Sequence, residues 1–494
     1  MIIRIKVAIF LFSFLSAEVY DGMTLFSAYS DDPDEDEHYT RLIDNDENII
    51  HSWTHDRGAA SMSYLLKDST LIYPYRIENP SMCNGGVGGG ISLYNWNGDI
   101  LWNYEFSDDR YQHHHDIQPM PNGNILVLLW ERHTATQGED TEFYGGEGRG
   151  WSEMGRQEVQ NPLNQMWSEA IFEIEMVGSD EINIVWEWHL WDHVIQDIDP
   201  DLPNYGVISE HPELMDINWG EVGDFDGMCG PQGDWIHFNA IDYNESLNQI
   251  ALSSRHNSEI YIIDHSTTTE EAATHAGGNS HMGGDLLYRW GNPQVYGQGT
   301  SDDQQLDAQH GVNWIPAGSP GEGNLILFNN FVNGEWQSAV YELSTPLNGS
   351  NTYDLNSNST YGPEEPIWMY IGDFFAWIQS GAFRLPNGNT IITVATAARI
   401  FEVSGEPPSI IWDYDFDGGQ MIARCQKYAS DYLFPYYSLG DVNFDQMITV
   451  ADVLMIADMI YGYGYNTTPP ADVNHDGFVN ISDVASLVQI LLGL

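Results

Sequence analysis

The sequence predicts a mainly β fold, a six-bladed β-propeller followed by a small C-terminal α-helical domain with two calcium loops. Three observations carry this. A strand built around tryptophan recurs six times, at Trp53, Trp102, Trp186 with Trp188, Trp290, Trp368 and Trp412. Apolar runs divided by Gly/Asn turns recur between them, and Asn-Gly between apolar runs is the strongest short hairpin signal. No convincing amphipathic helix precedes residue 450, whereas one loop-helix pattern occurs twice after it.

The repeat holds three strand types. The tryptophan strands read NIIHSW, GDILWNYEF, INIVWEWHL, GDLLYRWGN, EEPIWMYIG and PSIIWDYDF. Five are preceded by a second type: GISLYN at 90 to 95, AIFEIE at 170 to 175, EIYIID at 259 to 264, AVYELS at 339 to 344 and RIFEVS at 399 to 404. A third type follows a turn, in MPNGNILVLLW, SPGEGNLILFNN and LPNGNTIITVAT, and NESLNQIALSS fills the same slot. Several short strands in each of six units is propeller arithmetic, and a β-sandwich does not predict a sixfold repeat. GMTLF and YTRLID look like the first strands. The spacing is widest between Trp186 and Trp290, so the middle blades carry the long insertions, and such insertions commonly gather on a binding face.

The ends of the chain differ from this pattern. Residues 1 to 17 join a basic start, MIIRIK, to the apolar run VAIFLFSFLS and a small residue, Ala17. That is the form of a secretory signal peptide, too short for a membrane span, and it predicts a secreted, periplasmic or cell-surface protein. No other stretch approaches about 18 apolar residues, the length a spanning helix needs. The acidic run SDDPDEDE, 30 to 37, reads as a solvated loop.

With 16 Lys and Arg against 73 Asp and Glu, the net charge is −57. So acidic a surface excludes nucleic acid and anionic membrane as partners. It also repels anionic substrates at long range, but salt screens beyond about 8 Å and a local Arg/His cluster can still hold an anion. Three cysteines, Cys83, Cys229 and Cys425, allow one disulfide and leave at least one thiol unpaired.

At the C-terminus GDVNFDQMITVADVLMIADMI and ADVNHDGFVNISDVASLVQILLG are two copies of one pattern. Asp441, Asn443, Asp445, Thr449 and Asp452 occupy loop positions 1, 3, 5, 9 and 12 of the first. Asp472, Asn474, Asp476, Asn480 and Asp483 do so in the second. Oxygen ligands on alternate residues, closed by an acid at the start of a helix, are calcium-loop spacing. Gly477 sits at the sharp-turn position, where the first copy has Gln446, and Asp replaces the Glu that closes an EF-hand loop. The duplicated loop-helix resembles the type I dockerin module over 438 to 494, which implies a calcium-folded tail that docks on a cohesin domain.

Histidines are grouped: HHHD at 113 to 116, WEWHLWDH at 186 to 193, HFN at 237 to 239, SSRH ending at His256, and AQHGVNW with His310. If DWIHFNAIDYNESLNQIALSSRH is a hairpin, its far end returns beside its start and brings Arg255 near His237 and Asn239. Imidazole, amide and guanidinium together make an anion site. A metal centre is the competing reading of clustered histidines, but neither H-E-x-x-H nor Cys-x-x-Cys occurs.

The segments HHHDIQPMPNGN, WEWHLWDHVIQD, DWIHFNAIDYN with SSRHNSEIYIIDHS, DLLYRWGNP, AQHGVNWIP and SGAFRLPNGNTII, in this order, resemble the arylsulfate sulfotransferase family over residues 22 to 430. The resemblance implies transfer of a sulfuryl group from a phenolic sulfate donor to a phenolic acceptor, through a sulfated histidine and without a nucleotide donor or catalytic cofactor. It assigns His310 as nucleophile, with His237, Asn239, Arg255 and one histidine of HHHD in support. Within HHHD, His115 is favoured and His114 is next.

The chemistry asks for these residue types. A phenolate with a conjugate-acid pKa near about 10 leaves poorly without a proton donor. The sulfuryl oxygens share charge through a loose, in-line transition state like that of phosphoryl transfer, which guanidinium and imidazole donors suit. A neutral imidazole can attack without a separate base. The expected domains are a signal peptide over 1–17, the propeller over 18–430, a linker over 431–437 and the dockerin-like module over 438–494. The competing function is a non-catalytic propeller that binds an anion or polysaccharide in a dockerin-anchored surface complex. A hydrolytic sulfatase is weaker, because the C/S-x-P-x-R context of its nucleophile is absent.

Overall fold

A computed structural model describes residues 18–29, 38–136, 149–416, 421–433, 440–443, 447–462, 471–474 and 478–492. The expected signal peptide, the acidic run 30 to 37, part of the linker and loop residues Asp445, Gln446, Asp476 and Gly477 lie outside them.

Six four-stranded antiparallel sheets form the six blades of a propeller. Blade I pairs Met421–Ala429 with Gly22–Tyr29, then His38–Ile43 and Ile49–His55. The innermost strand of the first blade therefore comes from the far end of the propeller sequence and closes the ring. Blades II to VI each run inside to outside in chain order, with innermost strands Tyr64–Leu65, Tyr111–Pro119, Phe238–Asn244, His310–Trp314 and Gly381–Arg384. The hairpin expected between His237 and Arg255 is present: Phe238–Asn244 pairs antiparallel with Gln249–Ser254, and Arg255 N donates to His237 O at 3.0 Å.

The recurring tryptophans stand on the outermost strand of every blade, and their repetition has one cause. Each of five indole N–H groups donates to the segment joining the two outer strands of the next blade or to the first residue of its outermost strand. Trp53 bonds Asn95 O at 3.0 Å, Trp102 bonds Glu181 O at 2.9 Å, and Trp186 bonds Thr267 Oγ1 at 3.2 Å. Trp290 bonds Pro363 O at 2.8 Å and Trp412 bonds Asn45 O at 2.9 Å, the last step returning to blade I. Trp368 instead lies against the Arg384 guanidinium of blade VI, 4.7 Å from its ring centre. A large ring fills the gap between diverging blades while its polar edge fixes their offset.

One disulfide joins Cys83 to Cys229, and Cys425 is a buried free thiol. Among the described residues no helix is long and apolar enough to cross a membrane.

The tail holds two helices, α1 (Val450–Tyr461) and α2 (Ile481–Leu492). They close over a small core of Val442, Ile456, Met459, Ala471, Val473 and Leu487. The twelfth-position acids do the same job in both copies. Asp452 Oδ2 accepts from Thr449 N at 2.7 Å and Asp483 Oδ2 from Asn480 N at 2.8 Å, while their Oδ1 atoms accept from Asn443 N and Asn474 N, both at 3.2 Å. Asp441, Asp452 and Asp483 are fully buried, yet no Lys or Arg follows Lys427 in the chain. Buried carboxylates need a counter-charge, and a hard divalent cation held by oxygen ligands fits this donor set.

Candidate active site

The innermost strands run side by side around the central channel, and the grouped histidines stand at their N-terminal ends. His113, His114 and His115 belong to Tyr111–Pro119, His237 immediately precedes Phe238–Asn244, and His310 opens His310–Trp314. All are at least nine-tenths buried. Each of these strands slips register against its neighbour there, between His113 and Ile117, between Phe238 and Ala240, and between His310 and Asn313. His115, His237 and Ala308 have positive φ of 50°, 58° and 52°. Bulges and left-handed residues re-aim side chains that a regular strand would send to alternate faces.

His310 is held in one tautomer. Its Nδ1 lies 2.8 Å from Asn330 Oδ1 and 3.0 Å from Ala308 O. Both partners are acceptors, and the Asn330 amide is fixed because its Nδ2 donates to Ala376 O at 2.9 Å and Gln379 O at 3.2 Å. Nδ1 therefore carries the proton, and the Nε2 lone pair has no partner among the described residues. Burial, with the Arg255 charge adding, lowers the His310 pKa to about 3, so the ring stays neutral near pH 7. Gly311 follows at φ +69°, where a Cβ would stand 2.9 Å from Ser380 O.

His237 and His115 face each other edge to face, with ring centres 4.5 Å apart. His237 Nδ1 donates to Asp234 Oδ2, which also accepts from Asn84 Nδ2 at 2.9 Å. Burial, then His256 and Arg255, keep His237 well below its ordinary pKa, so its Nε2 is an acceptor as well. His256 stacks on His237 from the exposed rim. The backbone comes very close to His115: a Cβ on Gly86 would lie 2.0 Å from the ring, which explains the glycine at that position.

Arg255 stands out by what it lacks. Among the described residues its guanidinium makes no ion pair and no side-chain hydrogen bond, and its Nε is buried without a partner. It is close enough to depress the basicity of His237 and His310. Asp234 and Asp307 act on it only at a distance, without an ion pair, so its N–H groups are chemically suited to hold an anion beside the neutral imidazoles. Asn239 donates to Gln309 O at 2.8 Å, linking blade IV to the residue before His310.

His114 lies one layer deeper, stacked on Trp130 with ring centres 4.4 Å apart. Its Nδ1 is 2.9 Å from His115 Nδ1, and its Nε2 is 2.9 Å from Glu169 Oε2. Glu169 Oε1 accepts from Phe238 N at 2.8 Å. Burial, then Asp234, raise the Glu169 pKa well above the usual carboxylate range, and burial lowers that of His114 to about 3. Below this layer, Asp116 pairs with Arg424 at 2.5 Å and accepts from Ile241 N at 3.1 Å, joining blades I, III and IV. A cavity of about 740 Å³, lined by Arg424, Asp242 and Trp314 among others, opens at the opposite mouth of the channel.

The expected residues His310, His237, Asn239, Arg255, His115 and His114 thus meet around one end of the channel. Asn330, Glu169, Asp234 and Asn84 were not expected there. The signals available for them were a second asparagine at a strand end, the first of three acids in the strand QMWSEAIFEIEMV, the acid three residues before HFN, and the NGGVGGG run.

Residues 167–431 match the arylsulfotransferase (ASST) family, and residues 439–492 match the dockerin type I domain. No curated protein matches the chain. Among solved structures, a protein of unknown function from Bacteroides caccae shares 10% identity at a TM-score of 0.42, covering 82% of this chain and 98% of its own. Virginiamycin B lyase from Staphylococcus aureus shares 11% identity at a TM-score of 0.30, covering 79% and 84%. Six blades, a histidine-lined channel end and a match over more than half its length place this chain in the arylsulfotransferase family, with a type I dockerin domain at its C-terminus.

Proposed function

We propose that the protein moves a sulfuryl group from a phenolic sulfate ester to a phenolic acceptor in two steps, through a sulfohistidine on His310. One observation carries this reading: a buried neutral imidazole, fixed by Asn330 with Nε2 unprotonated, beside an arginine that forms no direct ion pair among the described residues. Nε2 attacks sulfur, the S–O(aryl) bond breaks, and the phenol departs. A second phenol then attacks the sulfohistidine, and the S–N bond breaks. Arg255 and the free amide hydrogen of Asn239 offer donors to the sulfuryl oxygens, which carry charge through the loose transition state.

The tail serves placement rather than chemistry. Calcium held by Asp441, Asn443, Asp445, Thr449, Asp452 and their counterparts Asp472, Asn474, Asp476, Asn480 and Asp483 would fold it for docking on a cohesin. That location is outside the cell or on its surface, and the Cys83–Cys229 disulfide suits an oxidising compartment.

The test is to mix the protein with an aryl sulfate, quench, and map the mass of the His310 peptide. An adduct of about 80 Da, released by added phenol, is expected for a covalent intermediate. No adduct in the wild-type protein, or full turnover by His310→Ala, would overturn the reading and leave an anion-binding propeller.

A further inference from the structure

The departing phenolate needs a proton and the incoming phenol must lose one, so the site needs a group that gives and then takes back a proton beside His310. His237 is not placed for this, since its proton is on Nδ1 with Asp234 and its Nε2 is a lone pair. His115 is the alternative, and its Nε2 has no partner among the described residues. His115 is also the outer end of a continuous chain of bonds. His115 Nδ1 meets His114 Nδ1 at 2.9 Å, and His114 Nε2 meets Glu169 Oε2 at 2.9 Å. All three residues are at most 2% exposed, and the Glu169 Oε1 end is closed by Phe238 N.

Each link of such a chain holds one proton, so neutral rings allow only two arrangements. With Glu169 ionised, His114 Nε2–H donates to it, His115 Nδ1–H donates to His114, and His115 Nε2 is bare. With Glu169 protonated, its O–H donates to His114 Nε2, His114 Nδ1–H donates to His115 Nδ1, and His115 Nε2 carries a hydrogen. The two differ by one proton, which enters or leaves at His115 Nε2 while the charge changes at Glu169.

We propose that Glu169, acting through His114 and His115, is the proton reservoir of the transfer; this rests on the sulfohistidine reading above. In the donor step the S–O(aryl) bond breaks and its electron pair goes to the phenolate oxygen, which takes the proton of His115 Nε2. His115 Nδ1 takes the proton of His114 Nδ1, His114 Nε2 takes that of Glu169, and an ionised Glu169 remains. The sulfated His310 ring, still protonated on Nδ1, carries no net charge, so the overall charge is unchanged. The acceptor step runs the chain backwards: the phenol gives its proton to His115 Nε2 and Glu169 ends protonated. Neither His114 nor His115 becomes a buried imidazolium on the way.

The surroundings favour this cycle. Burial favours the protonated form of Glu169 and opposes charge on His114 and His115. Trp130, stacked on His114, and the Gly86 backbone against His115 hold both rings in line and exclude water.

Glu169→Gln keeps the shape and a donor to His114 but cannot release a proton. Single-turnover formation of the His310 adduct is followed with phenyl sulfate, whose leaving group needs a proton, and with 4-nitrophenyl sulfate, whose leaving group is a much weaker base. Phenyl sulfate should be slowed far more, so that the ratio of the two rates widens by about 10²-fold, the usual size of a general-acid contribution. Equal slowing of both donors, or slowing of neither, would overturn the relay while leaving the His310 adduct in place. Absence of any adduct in the wild-type protein would remove the relay together with the reading beneath it. If the variant fails to fold, rates of the wild-type protein in mixed H₂O and D₂O decide: a bowed dependence on deuterium fraction supports several protons moving together, and a straight line rejects it.

Discussion

Asn330 Oδ1 lies 2.8 Å from His310 Nδ1, and this pairing puts the lone pair of His310 on Nε2. Under the proposed mechanism, an amide fixes the tautomer without neutralising the imidazolium that sulfation of Nε2 would form, which would keep the sulfuryl group transferable. Asn330→Ala leaves only Ala308 O to orient the ring, and adduct formation should fall about 10- to 100-fold, as for other lost orienting partners of a histidine. Asn330→Asp should act differently. A carboxylate raises the His310 pKa, so the neutral form is lost at higher pH, and the acidic limb of the pH–rate profile should move upward from its wild-type position. An unmoved limb would mean that Asn330 does not control the ring.

Arg255→Ala should cut kcat/KM for aryl sulfates by about 10- to 100-fold, the effect of losing a charge-assisted bond of about 1.5–3 kcal/mol. Arg255→Lys keeps the charge but not the planar fork, and should recover only part of the loss. Steady-state kinetics of both variants check this.

Histidine and carboxylate titrations can be separated at His189. Burial opposes its charge, but Glu131 and then Glu187 outweigh burial and raise its pKa to about 10. Because the folded pKa is raised above the unfolded value, its stabilising contribution is complete below about pH 6.5 and is lost as pH rises toward 10. The Tm difference between wild-type protein and His189→Gln should therefore be largest near pH 6 and shrink toward pH 10.

Chelation should abolish the melting transition of the tail and leave that of the propeller nearly unchanged. Asp452→Ala and Asp483→Ala should each weaken calcium binding, measured by calorimetry. Each removes a carboxylate that gathers backbone N–H groups of its own loop as well as a proposed ligand.

The double variant Cys83→Ser, Cys229→Ser opens a bridge across a sequence separation of 146 residues and should cost about 2–5 kcal/mol of propeller stability. It should also lower turnover, because Asn84, next to Cys83, bonds the carboxylate that orients His237. A melting shift with unchanged turnover would separate the disulfide from the site.

Much of the fold was legible because the outermost strands repeat one physical device. Trp53, Trp102, Trp186, Trp290 and Trp412 each brace the neighbouring blade, so the same residue had to recur. The innermost strands were harder to read. Their alternation is broken where His115, His237 and His310 are turned by bulges and left-handed residues toward the channel, and HHHD has no strand period at all. His310, His237 and Arg255 were accessible through motif resemblance. Glu169 was not, since the acid just before AIFEIE looks like an outward-facing strand residue until Phe238 and His114 are seen against it. Asn330 was hidden because its role depends on a partner 20 residues away.

The ring closes on Met421–Ala429, which also brings Arg424 to Asp116 beneath the histidines. The order of synthesis therefore matters. Strand Gly22–Tyr29 is made early and must wait, with one edge unpaired, for roughly four hundred residues, on the order of 20–80 s at common translation rates. An apolar edge left open that long invites pairing with other chains. A transcript truncated anywhere before this strand yields an open ring with exposed edges. Truncation just after it removes only the tail and leaves all six blades with their strands.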